Sequence, residues 1–392
     1  MSTLRTSAIQ SPSTTNGGIS IDTSGHVTVD GVQLPSAGPL SNRNKIINGD
    51  MRIDQRYNGS SVSFSNTSGY AVDRSFCMLQ GSSATGTLTF QQSTDAPTGF
   101  TNSIKATVTV ADTTNTQAYI GQFVEGYNWS DMCYGTANAK TVTLSFWVKS
   151  SIAGLYCGGI TGGGSAGNQV GYVFEYTINS ANTWEYKTVT IPGETSGSYT
   201  FDSTNGTGIR LKFDLGTKGS TFVAAPNAWT ANLKYSTSTA GRVYWKENSG
   251  ATFYLTGVQL EVGSVATPFE RRSYGDELAR CQRYCQVHDV SGSGELIAHG
   301  VGNGTTTSSQ IIRPFVPFRS APALTISSAG DFQIQFVGSA TTTTCSSLSL
   351  ITGTTSSNYV YIDCGITGGT AGQGQYLRSQ NANAVLTLSA EL

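Results

Sequence analysis

Charge is what this sequence has least of. Lys, Arg, Asp and Glu make up 12% of its 392 residues, about half the roughly 25% of an ordinary soluble domain. The formal net charge is -1 and no long basic run occurs. Non-specific nucleic-acid binding draws on clustered Lys and Arg, so nucleic acid is not an expected partner. No run of about 18 apolar residues is present, so no membrane-spanning helix is expected. Residues 1–15 lack the apolar stretch of a secretion signal, and the chain is expected to be made and assembled in a cytoplasm. Cysteine is sparse and irregular, seven residues with no framework spacing, which reads as buried thiols acting as small apolar groups. Cys281, Cys285 and His288 have a spacing compatible with metal ligation, but no fourth ligand or second pair accompanies them. No metal and no cofactor are expected.

Glycine, serine, threonine and aromatics are what the chain does have, with 46 Gly and 10% aromatic residues. That mix suits short strands joined by polar turns around real cores, an all-β protein. Residues 1–41 read as a β-hairpin. Ile19 and Ile21 alternate with polar residues, the turn at Asp22-Thr23-Ser24-Gly25 follows, and Val27 and Val29 alternate again. A lone hairpin has no core of its own, so these four side chains are expected to be covered by identical chains or by another protein. Pro35-Ser36-Ala37-Gly38-Pro39 reads as a hinge after it.

Residues 42–272 read as one jelly-roll β-sandwich. Ile209, Leu211, Phe213 and Leu215 point to one face, with Arg210, Lys212 and Asp214 on an opposite, solvated face. Val142, Leu144, Phe146 and Val148 form a second inward face, and Val170, Tyr172, Phe174 and Tyr176 a third. Along Phe253–Leu260 the alternation changes phase at Gly257, which predicts a bulge there. Residues 273–287 read as a short linking α-helix, with Ser273 as N-cap and Leu278, Cys281 and Cys285 on one stripe. Residues 288–392 read as a C-terminal β-sandwich tip. Within it, the two prolines of Ile311–Phe318 predict an edge or irregular strand.

Three stretches carry a resemblance. They are Asn44-Lys45-Ile46-Ile47-Asn48-Gly49-Asp50-Met51-Arg52-Ile53-Asp54-Gln55-Arg56, then Gly69-Tyr70-Ala71-Val72-Asp73-Arg74, and the junction from Phe253 to Gln286. Together they resemble tail-fibre and related virion proteins of tailed bacteriophages, over roughly residues 42–290. The strands Val142–Lys149 and Val258–Gly263 look similar to those of jelly-roll carbohydrate-binding modules. The resemblance implies a homotrimeric virion protein of the tail, held through its N-terminal segment to other virion proteins such as a tail adaptor or nozzle, and contacting a host surface glycan. A head fibre, adaptor or decoration protein without receptor binding is the alternative, and a polysaccharide depolymerase the next. A secreted carbohydrate-binding module is a further one.

Sugar recognition needs flat apolar rings beside hydrogen-bonding groups. Tyr127, Trp129 and Tyr134 lie close in sequence, Trp184 sits between Thr183 and Glu185, and Trp229 lies near Asn227 and Asn232. These five are the glycan-binding candidates; each also suits a core, a rim or an interface. A glycosidase would need two carboxylates at a set separation. Asp50, Asp54 and Asp73 each have a neighbouring cation, at Arg52, Arg56 and Arg74, and structural pairing is the expected role. No nucleophile elbow occurs, and the Gly158–Gly167 loop lacks the Lys-Ser/Thr ending of a phosphate loop. The chain is expected not to be an enzyme.

Overall fold

A computed structural model describes residues 42–392 other than 165–167, 291 and 352, together with the backbone of four short N-terminal strands. The protein is nearly all β, 43% strand against 7% helix. It divides into two compact units. One takes in the chain up to Arg52 and Gly59–Arg272; the other takes in Ile53–Asn58 and Ser273–Leu392.

The N-terminal hairpin is present as Gly18–Ile21 paired antiparallel with Val27–Val29, Ile19 opposite Val29 and Ile21 opposite Val27. It is not a lone hairpin. Ala8–Gln10 adds on one side and Val32–Gln33 on the other, giving a four-stranded sheet. The side chains of Ile19, Ile21, Val27 and Val29, and the expected hinge, lie outside the described residues.

The first unit is a sandwich of two antiparallel sheets. Six strands run in the order Glu185–Ile191, Val142–Ser150, Thr252–Val262, Ser103–Val110, Thr87–Ser93, Val62–Phe64. Seven run in the order Trp229–Ala231, Gln169–Ile178, Gly154–Gly163, Thr207–Asp214, Gln117–Glu125, Phe76–Gln80, Thr67–Tyr70. The alternating apolar residues read from the sequence meet between the sheets. Leu144, Phe146 and Val148 from one side share a core with Phe174, Tyr176, Leu211 and Phe213 from the other. Phe146 stands edge-on to Phe213 at 4.9 Å and to Tyr176 at 5.0 Å, a geometry that adds about 0.5–1.5 kcal/mol per pair beyond area burial. The predicted bulge is there: the register between Val142–Ser150 and Thr252–Val262 shifts opposite Phe146, and Gly257 has φ 61°. Only glycine holds that conformation without strain.

The first two resemblance motifs and the start of the third fold against one another and have a structural job. Asn44 is buried and ties the segment before the sandwich to the Thr252–Val262 strand. Its Nδ2 donates to Val258 O (3.0 Å), and its Oδ1 accepts from Ile46 N (2.9 Å) and Leu260 N (3.0 Å). Gln122 clasps Ile47 through both its backbone groups, at 2.8 and 2.7 Å. A side chain on Gly49 would run into the Val258 carbonyl, so this close approach requires glycine. Asn48 Nδ2 donates to Asp73 O (3.0 Å), and Arg272 donates to the carbonyls of Asn44 and Ile46.

The second unit begins with the helix Tyr274–Gln282, where Ser273 Oγ accepts from Asp276 N at 3.2 Å as the expected N-cap. The helix stops short of Val287. Cys285–Asp289 is instead a strand, because its backbone pairs with Val385–Ser389. A three-stranded sheet built on that pairing and a seven-stranded sheet enclose Phe332, Ile334, Ile362, Leu377, Leu386 and Leu388. Ile53–Asn58 belongs here because Gln55 Nε2 donates to Cys285 O (3.0 Å) and Arg56 pairs with Glu391 (3.1 Å). The Ile311–Phe318 stretch is irregular past Ile312, as expected, but it is not an edge: its first two residues close Thr307–Ile312, which has a neighbour on both sides and ends before Pro314, since proline has no N–H to donate to a ladder.

Candidate functional site

Proximity in sequence did not put the five aromatic candidates on one surface. Tyr127, on the short helical turn Gly126–Trp129, is 61% exposed. Trp129 and Tyr134 are core residues, 1% and 6% exposed. They are edge-to-face at 5.0 Å, and Tyr134 meets Trp229 at 5.6 Å and Phe201 at 5.5 Å. A ring enclosed on both faces cannot stack on a sugar, so Trp129 and Tyr134 are corrected to structural roles. Trp229 is half-buried, packs on Tyr172 and donates from Nε1 to Pro192 O (2.9 Å). Trp184 lies apart from these, half-buried, with its Nε1 donating to Asp95 Oδ1 (3.1 Å). Beside it the Lys149 ammonium lies over Trp184 and Tyr254, at 5.2 and 4.3 Å, but is ion-paired with Asp95.

A second aromatic face, which sequence reasoning missed, covers the outer side of the seven-stranded sheet. Period-two alternation that sends Cys77, Leu79, Ile120 and Leu211 inward sends Phe76, Met78, Tyr119, Phe123, Arg210 and Lys212 outward. Pairing brings these into rows: Tyr70 opposite Phe76, Phe76 opposite Gly121, Gly121 opposite Lys212, and Phe123 opposite Arg210. Phe76 stacks on Phe123 with centroids 4.9 Å apart, meets Tyr70 edge-on at 5.3 Å and leans on Tyr119 at 6.0 Å. Tyr70, Phe76 and Phe123 are half-buried, so part of each ring faces solvent. The one sequence signal that could have found them is that these outward positions of a sheet are aromatic where polar residues are expected.

Two cations stand in this face. The Arg210 guanidinium lies over Phe123 at 5.3 Å. The Lys212 ammonium lies over Tyr119 at 4.7 Å and Tyr235 at 4.1 Å. The expected solvated face of the Thr207–Asp214 strand is therefore corrected: Lys212 and Asp214 are each only 3% exposed. The reason lies further along the chain. The segment around Ser236–Thr237 crosses the outer side of the sheet, Thr237 N donating to Cys157 Sγ (3.3 Å), and a side chain on Gly159 would collide with Tyr235. Asp214 is fully engaged there, accepting from Thr217 N (3.0 Å), Ser236 Oγ (3.1 Å) and Gly216 N (3.3 Å), with Arg242 at 3.8 Å. Burial, reinforced by the neighbouring Arg210 charge and only partly opposed by Asp214, pulls the Lys212 pKa down to about 7. Burial lowers Arg210 as well.

In the second unit Cys281 and Cys285 are buried and His288 stacks on Phe315 at 5.4 Å. No group of three His, Cys, Asp or Glu converges among the described residues.

No family model matches the chain, and no curated protein matches it. Among solved structures it is similar to the enzymatically active domain of tailspike protein 4 of bacteriophage CBA120, at 14% identity and TM-score 0.31, over 56% of this chain and 21% of that one. It is also similar to a family 11 carbohydrate-binding module from Clostridium thermocellum in complex with a β-1,3-1,4-mixed-linked tetrasaccharide, at 12% identity and TM-score 0.27, over 53% of this chain and 98% of that one. A xylan-binding domain from Paenibacillus barcinonensis is similar at 11% identity and TM-score 0.24, over 54% and 99%.

Proposed function

We propose that the protein is a structural component of a virion tail, a homotrimeric fibre that attaches to the host cell through surface glycans. The observation that carries the glycan reading is the outer face of the seven-stranded sheet. Partly exposed rings of Tyr70, Phe76 and Phe123 supply flat apolar surface, and Arg210 supplies N–H donors at its edge. That pairing of ring face and polar rim is what a pyranose needs. The resemblance of the Asn44, Gly69 and Phe253 stretches to tail-fibre proteins supports the virion placing. Leu296, Val301 and Phe315 leave apolar surface open in the second unit, and contact between copies would cover it. Each site on its own would be weak, and repetition on a trimer multiplies avidity through effective concentration.

The reading is of a binding protein, not a depolymerase. Asp50 and Asp73 are 3% and 1% exposed, and Asp50 is paired with Arg52. A hydrolase needs both carboxylates open to the glycosidic bond. Product formation from host polysaccharide that Asp50→Asn or Asp73→Asn abolishes would overturn this part.

The experiment is binding of the purified chain to host-surface glycans on an array, with an adsorption-competition assay beside it. Phe123→Ala is expected to weaken glycan binding about tenfold, the value of roughly 1.4 kcal/mol of lost ring contact. Tyr127→Ala, on the helical turn past the end of the Gln117–Glu125 strand and outside the rows of rings, is expected to leave it unchanged. No binding to any glycan, with the protein folded, points instead to a head fibre, adaptor or decoration protein.

A further inference from the structure

Among the described residues of the first unit, four cations are buried: Arg74, Lys212, Arg242 and Lys246. Three of them donate hydrogen bonds inside the protein. Lys246 donates to Asp112 O (2.8 Å) and Thr114 O (2.9 Å), Arg242 to Thr217 O (3.0 Å), and Arg74 to Phe123 O. Lys212 is the exception. Among the described residues its ammonium has neither a hydrogen bond nor an ion pair, only the faces of Tyr119 and Tyr235. Arg210, two residues before it on the same face, also has no hydrogen-bond acceptor among the described residues, and Phe123 lies beneath it. The nearest acid on the strand, Asp214, is held by Thr217, Ser236 and Arg242.

Two adjacent positive charges without a counter-ion are unfavourable in a desolvated setting. They are the arrangement a site takes when the ligand brings the negative charge. A guanidinium matches a carboxylate through two parallel N–H donors. The buried Lys212 ammonium beside it, 3% exposed, adds charge that water screens poorly. The half-exposed rings of Phe76 and Phe123 adjoin these charges and offer an apolar surface to a sugar ring.

Resting on the glycan reading above, we infer that this face takes an acidic sugar, a uronic- or sialic-type residue whose carboxylate pairs with the part-exposed Arg210, in the field of the buried Lys212 charge, while its ring lies on Phe76 and Phe123. A neutral glycan would leave both cations without a partner. Recognition is therefore selective for carboxylate over the matching alcohol.

The groups that face Lys212 decide how binding responds to pH. They are Arg210 and Asp214 on its own strand, Tyr119 on Gln117–Glu125 and Tyr235 on the covering segment, with Cys157 and Arg242 behind them against Asp214. Burial pushes Tyr119, Tyr235 and Cys157 up, away from neutrality, and burial also raises Asp214. Lys212 is the cation that loses its proton near pH 7, so affinity for the acidic sugar falls as pH rises from 6 to 8.5.

The test uses the full purified chain and calorimetry with oligogalacturonate and oligosialic acid, each beside its carboxyl-reduced form. The expected result is binding of at least one acid at least tenfold tighter than its reduced form, weakened by salt. Arg210→Gln is expected to lose tenfold or more, and Arg210→Lys to recover part of it. Lys212→Met is expected to weaken binding and to abolish the fall between pH 6 and 8.5, while a circular-dichroism melt reports that the variant folds. Equal binding of the acid and reduced forms overturns the inference, as does acid binding that neither Arg210→Gln nor Lys212→Met alters. In both cases a glycan is still bound, and the attachment reading stands. Absence of binding to every glycan tried, acidic or neutral, overturns both.

Discussion

Replacing Asn44 with alanine lowers the stability of the first unit by about 3–5 kcal/mol, because it strands three buried polar groups at about 1–3 kcal/mol each. The Ile46 and Leu260 N–H groups lose the Asn44 Oδ1 acceptor, and Val258 O loses the Nδ2 donor. Asn44 is 5% exposed, so water cannot replace those bonds without opening the structure. The segment itself stays tethered, since Val258 N still reaches Gly49 O and Lys45 N still reaches Leu260 O. For a unit of this size the melting midpoint is expected to fall by roughly 10 °C. Because the chain has two compact units, calorimetry should resolve the transitions, with the second unit's unmoved. A loss under about 1 kcal/mol would mean that the segment before the sandwich docks after the unit has folded and adds little to it.

Lys212→Met is expected to act in the opposite direction, stabilising the ligand-free protein by about 1–4 kcal/mol at pH 6. Burial lowers the Lys212 pKa in the folded chain to about 7, from 10.5 for an ordinary lysine. Below pH 7 both folded and unfolded chains carry the charge, and the full penalty of holding it among rings is present. Between about 7 and 10.5 the unfolded chain binds the proton and the folded one does not, so wild-type stability rises with pH. Above that window both forms are neutral and the penalty is gone. The advantage of the methionine variant is therefore largest at pH 6 and shrinks toward pH 10. Denaturant titration at pH 6, 8 and 10 measures it, and a variant less stable than wild type at pH 6 would show that the ammonium has a counter-charge in solution. Addition of a carboxylate sugar is expected to raise the wild-type midpoint more than the variant's, since a ligand stabilises by its affinity for the folded state.

These two residues also mark how legible the protein was. Asn44 sits in a stretch that drew notice as a motif, yet nothing in its spacing says that its amide reaches a strand more than two hundred residues later (|i−j| = 216 to Leu260). Alternation places Lys212 on the face opposite Leu211 and Phe213, but it does not say that this face is covered. Trp129 and Tyr134 looked like a surface patch because polar residues surround them, and they close a core cluster with Phe201 and Trp229. The rings of Phe76 and Phe123 are 47 residues apart in sequence (76 to 123) and stack because Gln117–Glu125 pairs directly with Phe76–Gln80.

What the sequence determined by itself was local and periodic. Alternation set the strands and their inward faces, Gly257 set the bulge, and Ser273 set the start of the helix, because each depends on neighbours a few residues away. Tertiary structure alone decided which outward faces stay open. Strand order placed Phe76 beside Phe123, and a later crossing segment shut Lys212 away from water with a ring over its ammonium but, among the described residues, no hydrogen bond or ion pair. Burial is a property of what arrives from elsewhere in the chain, and so the charge that best describes this surface is invisible until the sheet is assembled and covered.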